Sequence, residues 1–212
     1  MMQSLYTAST GMAAMQTQID TTANNIANVN TIGFKKSRAE FSDLMYQVME
    51  YAGTSTSDVT KSPTGIEVGL GVRSTAINKI FAEGSLKQTD NQLDMAITGR
   101  GFFKLELPDG TEVYSRNGAF KVDENGTMVN SDGYSMVPQV VIPPDATNMS
   151  IGTDGTITVV QPGQTQATQI GQIQTTNFIN PAGLHSMGDN LYIETDSSGQ
   201  PVEGTPGVDG LG

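Results

Sequence analysis

Apolar residues along the first 30 positions recur at a spacing typical of one helix with a heptad seam. One apolar position occurs every seven residues, and a second set follows three residues after the first. So narrow a stripe predicts an α-helix that needs a partner helix, although the pattern also allows an ordinary amphipathic helix packed on its own domain. We call these eight positions the helix seam: Leu5, Ala8, Met12, Met15, Ile19, Thr22, Ile26 and Val29.

The helix is predicted to end near residues 28–32, where asparagines cluster and a sharp turn follows. Asn30 and Gly33 are the residues best suited to a left-handed conformation beyond a helix end. Asp20 is the only charged residue among positions 1–34. Identical copies of this helix could therefore pack side by side without charge repulsion.

Residues 37–50 carry a second helical pattern. Ser37 and Glu40 have the spacing of a capping box, and apolar residues follow at helical intervals from Phe41 to Met49. The next segment, residues 52–65, is rich in Thr, Ser and Gly and predicts a flexible loop or an exposed hairpin tip.

From Ile66 onward the apolar positions alternate with a period of two, which predicts strands. Phe103 alternates with Leu105, and Ile157 with Val159. Asp-Gly and Asn-Gly turn signals separate these segments, several at intervals of seven or eight residues, as in a barrel or sandwich. The predicted fold class is therefore mainly β with a long N-terminal α-helix, the β part forming a Gly-rich sandwich or barrel-like domain.

Composition and charge exclude several classes of function. The 212 residues contain 24 glycines and no cysteine, so disulfides and thiolate metal sites are excluded. The net charge is −11, and no Lys or Arg follows Lys121, so we expect neither nucleic acid nor anionic lipid as partners. No segment approaches the ~18 apolar residues of a membrane span. The first 30 residues lack the basic region of a cleaved signal peptide.

Motifs for catalysis or cofactor binding are weak. His185 is the only histidine, and its surroundings miss the spacing of a nucleophile elbow. Gly99 and Gly101 precede a predicted strand and indicate a bend, not a dinucleotide loop. Asp123 to Gly126 predict a turn, since the residues of a calcium loop do not follow. We therefore expect no enzyme activity, no catalytic or metal site and no cofactor.

The segment 22–41 identifies a family. It reads TANNIANVNTIGFKKSRAEF and resembles the N-terminal signature of the bacterial flagellar rod and hook proteins. Residues 93–103, 114–134 and 170–195 resemble the β domain of that family, in the same order. The signature positions, which we expect at a subunit interface, are Ala23, Asn24, Asn25, Asn28, Thr31, Gly33, Phe34 and Lys35.

The resemblance implies a domain plan. Residues 1–34 would form an axial coiled-coil-type helix, and residues 35–71 a connecting segment whose insert, about 46–65, is an extended hairpin rather than a helix. Residues 72–194 would form an all-β outer domain, and residues 195–212 a Gly/Pro-rich linker towards a C-terminal helix that this chain lacks.

The resemblance also implies a function. We expect a structural subunit of the distal rod, polymerising with itself into a rigid tube that transmits torque from motor to hook. The other implied partners are proximal rod proteins, the hook protein, the P- and L-ring bushings and the flagellar export apparatus. The expected location is the flagellar basal body, across the periplasm to the outer membrane. A proximal rod or hook subunit is the alternative, and a secreted carbohydrate-binding protein a remote one.

Overall fold

The chain folds into two compact units, one built around a helix and the other entirely of strands. A computed structural model describes residues 2–53, 63–146, 148–163 and 166–207. The first unit contains the residues up to Val29 and Lys36–Ile80, and the second contains Asn30–Lys35 and Phe81–Gly212. Within the described residues there are one α-helix and sixteen strands, which confirms the predicted class. None of the helical segments described is long and apolar enough to span a membrane.

The first unit consists of a helix and a two-stranded β ribbon. Its elements are α1 (Met2–Ala27), β1 (Ser37–Asp43), β2 (Tyr46–Glu50), β3 (Ile66–Gly69) and β4 (Val72–Lys79). β1 pairs with β4 and β2 with β3, both antiparallel. The amide of Leu44 donates to the carbonyl of Gly71 (2.9 Å), and that of Leu70 to the carbonyl of Met45 (3.2 Å). These bonds join the two pairs end to end, and we call the whole the β ribbon.

The helix predicted over residues 37–50 is wrong, because these residues form β1 and β2. Its apolar spacing marks no buried face, since Met45, Tyr46 and Met49 are all exposed. Ladder hydrogen bonds to β3 and β4 satisfy the backbone instead, and such pairing between distant segments overrides local propensity. The hairpin that the family resemblance implies over residues 46–65 stays a prediction. Residues 54–62 lie outside the described part of the chain.

The second unit contains twelve of the described strands and a 3-10 turn at Pro181–Gly183. Its strands are β5 (Phe102–Glu106), β6 (Glu112–Ser115), β7 (Lys121–Val122), β8 (Met128–Val129), β9 (Ser135–Val137), β10 (Asn148–Ile151), β11 (Thr156–Val160), β12 (Thr168–Gln172), β13 (Thr175–Asn177), β14 (His185–Gly188), β15 (Leu191–Ile193) and β16 (Val202–Gly204).

These strands form two antiparallel sheets. The larger has the order β14-β15-β6-β5-β9-β8-β7, with β13 also pairing to β5 and β16 to β13. The smaller has the order β10-β11-β12. Strand β5 lies centrally, and its neighbouring residues Phe102 and Phe103 are buried on opposite faces.

Two hydrophobic clusters form the core, one for each face of β5. On one face Phe103 and Leu105 pack with Ile157 and residues of several other strands. On the other face Phe102 packs with Tyr114, Phe178, Leu184 and Tyr192. Most of the ring pairs in this aromatic cluster meet edge to face at centroid distances of 4.7 to 6.0 Å, the geometry that aromatic quadrupoles favour.

Two boundaries differ from those that the sequence predicts. The outer domain is predicted to begin at residue 72, whereas β4 belongs with the ribbon and the second unit resumes at Phe81. Residues 195–212 are predicted to be a linker, yet β16 pairs with β13 and the Ser198 side chain is fully buried. Residues 208–212 lie outside the described part of the chain.

The glycine-rich segments form the bends that the sequence predicts. Gly99 and Gly101 have φ angles of 125° and 134° and lead directly into β5. Gly126 has a φ angle of 79°, and its amide donates to the carbonyl of Asp123 in the turn between β7 and β8 (2.9 Å). Glycine adopts these conformations without steric cost.

Candidate assembly surface

Helix α1 packs on the β ribbon through a stripe of small residues. Thr7, Ala14 and Thr21 recur every seven positions, and Ala14 and Thr21 are buried. Gly71 of the ribbon has a φ angle of +125°, and a Cβ there would collide with the Thr10 hydroxyl. The helix and the ribbon therefore approach closely only because the residues at their contact are small.

Threonine is a weak helix former, and two threonine hydroxyl groups of α1 bond to the helix itself. The Thr21 hydroxyl donates to the carbonyl of Thr17 (2.8 Å), and the Thr22 hydroxyl donates to that of Gln18 (2.8 Å). These bonds to the preceding turn satisfy the hydroxyl groups without a partner outside the helix.

The helix seam lies on the other side of α1 and is uncovered within the described residues. Its six large side chains are 60 to 74% exposed, and its two small ones are exposed as well. Monomeric proteins rarely expose a continuous apolar stripe of this length. The one charge on the helix, Asp20, accepts a hydrogen bond from Gln16 (2.8 Å). Among the residues that the structure describes, the predicted seam is thus an exposed apolar stripe and not part of the core.

The asparagines of the signature divide into an engaged residue and an outward group. The Asn25 side chain donates to the carbonyl of Ser37 (2.8 Å) and accepts from the amide of the same residue (2.8 Å). It pairs with the first residue of β1 as a neighbouring strand would. Asn24 is exposed, and the Asn28 side chain donates to its carbonyl (3.0 Å).

The second half of the signature packs on the all-β unit. Gly33 has a φ angle of +76° and lies against the backbone of Asn117. The Asn190 side chain donates to the carbonyl of Ile32 (3.0 Å). Thr31 accepts from the amide of Phe34 (3.3 Å), which closes the turn. The segment Asn30–Lys35 therefore forms a small docked loop.

Lys35 fixes the end of this loop. It is buried, and its ammonium donates to the carbonyl of Ala82 (2.6 Å). Burial lowers the pKa of Lys35, and the nearby positive charge of Arg116 lowers it further, whereas Glu83 acts in the opposite direction. The Arg116 guanidinium in turn donates to the carbonyl of Gly99 (2.9 Å) and lies over the Phe102 ring.

The structure brings the predicted residues to two places. The seam residues share one exposed stripe, as their spacing predicts. Of the signature residues, Asn25 bonds to Ser37 within the first unit, while Gly33 and Lys35 contact other residues of the second unit. Their role at a subunit interface stays a prediction.

Sequence reasoning missed the residues that receive these contacts. They are the small stripe on α1 and the partners Ser37, Ala82, Asn117 and Asn190. The stripe had a readable signal, since Thr7, Ala14 and Thr21 are seven apart. The partner residues carried no such signal in the sequence, because only the folded chain brings them into contact with the signature.

Groups suited to metal binding do not converge in the parts of the chain that the structure describes. Three or more His, Asp or Glu side chains nowhere meet there in a way that could hold a metal ion. His185 lies exposed on β14.

Two family models match the regions just described. The model for the flagella basal body rod protein matches residues 5–35, which hold the seam and the signature. The model for the flagellar hook protein FlgE/F/G D1 domain matches residues 96–159 of the all-β unit.

Curated relatives extend this match to the whole chain. The flagellar basal-body rod protein FlgG of Buchnera aphidicola subsp. Schizaphis graminum is 48% identical over 212 residues, which cover 100% of this chain and 82% of the relative. The chain belongs to the flagellar basal-body rod protein FlgG family. The FlgG protein of Borreliella burgdorferi is 44% identical over 214 residues and is covered to 81%. The flagellar hook protein FlgE of Helicobacter mustelae is 41% identical over 135 residues, which cover 63% of this chain and 30% of that protein.

Substituting Asn25 by Asp tests whether this FlgG-family signature residue acts in folding. From sequence alone, Asn25→Asp or Asn28→Asp is expected to hinder polymerisation more than folding. The contacts of Asn25 predict otherwise, because a carboxylate cannot donate to the Ser37 carbonyl and would repel it. We expect a loss of about 1–3 kcal/mol in the free energy of unfolding, measured by urea unfolding followed through helical circular dichroism.

The matched control is Asn24→Asp. It places the same charge one residue away, near the same unfavourable helix end, at an exposed position. An equal loss of stability in the two variants would contradict the role of the Asn25–Ser37 pair.

Substituting Gly33 by Ala tests the docked loop. A Cβ at Gly33 would lie 2.8 Å from the Asn117 nitrogen, and the positive φ angle disfavours any other residue. We expect faster amide hydrogen exchange across residues 30–35, measured by mass spectrometry. Gly84→Ala is the control, since nothing lies within 4 Å of a Cβ at that position of the same unit. Unchanged exchange in Gly33→Ala would show that the loop does not depend on this close approach.

Proposed function

We propose that this protein is a structural subunit of the bacterial flagellar rod, specifically of the distal rod. In this function, copies polymerise with one another into a rigid tubular drive shaft that transmits torque from motor to hook. The observation that carries the proposal is the uncovered seam of α1, in a chain that matches FlgG proteins along its full length. A helix that presents four heptads of apolar residues outward is built to be covered by another helix.

The covering element in this proposal is the C-terminal helix that the family plan implies for the same subunit, and it pairs with the seam as the subunit enters the polymer. The matched FlgG relatives are longer than this chain, which covers 82% of the first of them. A partner helix with its own heptads would convert the seam into an axial coiled coil. The exposed signature amides and the remaining polar faces would then contact neighbouring copies, because uncharged amides both donate and accept hydrogen bonds.

A tube of this kind needs contacts that repeat without closing. Head-to-tail contacts between identical subunits generate helical filaments when the rotation does not close a ring. The near absence of charge on α1 suits such a lattice, in which any like-charge contact would recur at every subunit.

The outer part of the β ribbon offers a second contact surface. Its apolar residues are exposed within the described part of the chain, on both strands: Met45, Tyr46, Val48, Met49, Tyr51, Ile66 and Val68. A ribbon with this composition is suited to lie against a neighbouring copy along the axis and to stiffen the tube. In the proposed setting the shaft runs across the periplasm to the outer membrane through the P- and L-ring bushings. It adjoins proximal rod and hook proteins and is delivered by the flagellar export apparatus, and the subunit has no enzymatic role.

A subunit of the hook or of the proximal rod is the second candidate. The match to the hook protein FlgE over 135 residues is the observation that favours it. It covers only 63% of the chain, whereas FlgG proteins match all of it. We therefore keep the distal rod as the main proposal.

Placing a charge in the seam should abolish assembly without unfolding the chain. Ile19→Glu adds a carboxylate at the centre of the seam, and burying an unpaired charge is far more costly than leaving it in water. Because Ile19 is 60% exposed, we expect a change of less than about 1 kcal/mol in the free energy of unfolding. Electron microscopy of polymers from the full-length protein is the measurement.

Ile179→Glu is the matched control for Ile19→Glu. It makes the same substitution outside α1, at a position of the all-β unit that is 87% exposed. Polymers from Ile19→Glu as abundant as those from Ile179→Glu would argue against a buried seam.

Deleting residues 52–65 should distinguish the distal rod from the hook. A distal rod subunit that lacks this insert should give bent or more flexible rods, because the β ribbon that is proposed to lie against a neighbouring copy along the axis would be shorter. A hook subunit would assemble nearly unchanged. Curvature of isolated rods in electron micrographs is the measurement, and straight rods of normal stiffness would count against the distal-rod role.

A further inference from the structure

The methionines of this chain differ widely in how exposed their side chains are. Two of the eleven methionines lie in the helix seam, where Met12 is 68% and Met15 63% exposed. They are three residues apart and so share one face of α1. By contrast, Met128 and Met136 lie in the core of the all-β unit at 0 and 1% exposure. Exposed thioethers are open to oxidants, whereas packed ones are shielded.

We propose that Met12 and Met15 form a modification site for peroxides, and that their conversion to sulfoxides prevents the seam from being covered. This inference rests on the proposed function, in which assembly buries the seam. The unassembled subunit is then the sensitive species, and assembly itself protects the two side chains.

The reaction needs only a peroxide as co-reactant. A lone pair of the methionine sulfur attacks one peroxide oxygen, an S–O bond forms and the O–O bond breaks. The sulfur loses two electrons, and the peroxide is reduced to water or, for an organic peroxide, to an alcohol. The product is a polar and chiral side chain in place of a flexible apolar one.

A sulfoxide in the seam has no hydrogen-bond donor in that stripe to satisfy it. Seven of the eight seam residues are apolar, and the eighth is Thr22, whose hydroxyl already donates to the Gln18 carbonyl (2.8 Å). Burying a strong acceptor without a donor is unfavourable. Oxidation at these two positions therefore opposes the covering of the seam directly.

Exposed methionines elsewhere provide an internal comparison. Met187 is 52% exposed on β14 of the other unit and lies outside the seam. It should oxidise readily with no consequence for the seam.

The first experiment maps oxidation along the chain. The full-length unassembled protein is treated with hydrogen peroxide and quenched, and its peptides are analysed by mass spectrometry over time. We expect Met12 and Met15 to oxidise at least about tenfold faster than Met128 and Met136. Equal rates at the four positions would overturn the assignment of the site.

The second experiment measures polymer formation after peroxide treatment, with each protein compared with its own untreated sample. Met45 and Met49 of the β ribbon are 83 and 71% exposed on the second proposed contact surface, so every protein carries Met45→Leu and Met49→Leu, and we call this background the ribbon variant. Adding Met12→Leu/Met15→Leu should retain the polymer yield, because leucine is similar in volume and lacks the sulfur. The ribbon variant itself and the ribbon variant with Met187→Leu should lose most of theirs. A treated ribbon variant that polymerises like its untreated sample would overturn the proposal, as would an equal loss after Met12→Leu/Met15→Leu is added.

Enzymatic repair provides a further test. Methionine sulfoxide reductases act on both sulfoxide epimers, so treating the oxidised ribbon variant with them should restore polymer yield as sulfoxide disappears from Met12 and Met15. Complete repair without recovered assembly would show that other damage is responsible.

Untreated full-length protein that forms no polymer would overturn the proposed function and the effect on assembly with it, whereas the oxidation rates would still decide whether the site exists.

Discussion

The close packing of α1 on the β ribbon through small side chains is the contact on which the first unit depends. Thr7, Ala14 and Thr21 let the helix approach the ribbon, and Gly71 removes the Cβ that would hold it away. Each of these small residues follows a seam residue by two positions, which is about 200° around the helix. Using the small stripe internally therefore turns the large apolar stripe outward.

The signature residues differ in what they contact within the fold. Asn25 holds the start of β1, while Gly33 and Lys35 hold a docked loop on the all-β unit. These residues fix the path of the chain where it leaves the helix. Asn24 and the neighbouring exposed positions are left to face outward, so the proposed interface role concentrates on them.

The sequence predicted the existence of the seam but not its exposure. Heptad spacing identifies which residues share a face, and it is silent about what covers them. The small stripe was not predicted, because Thr and Ala give no strong apolar signal, although their spacing is just as regular. The all-β unit was predictable for the same reason as the seam: Phe103, Leu105, Ile157 and Val159 alternate and are buried.

The failures have a common physical cause, which is pairing between distant segments. Residues 37–50 carry helical spacing, yet their backbone pairs with residues 66–79. Residues 202–204 lie in a Gly- and Pro-rich stretch, yet they pair with β13. The partners of the docked loop were equally invisible, since Ala82 and Asn190 lie 47 and 158 residues from the atoms they bind.

Magnitudes indicate what the seam can contribute to assembly. Six large side chains that are about two-thirds exposed would each gain on the order of 1–2 kcal/mol on burial, so the whole seam contributes roughly 10 kcal/mol. Association itself costs an estimated 4–15 kcal/mol in lost freedom of motion. The proposed covering helix belongs to the same subunit, so covering the seam orders each subunit but does not by itself hold separate molecules together. A stable lattice needs further contacts, and the exposed apolar residues of the β ribbon are the described surface best suited to supply them. Any change that weakens the seam slightly, such as one polar group on it, would then shift the balance from polymer to subunit.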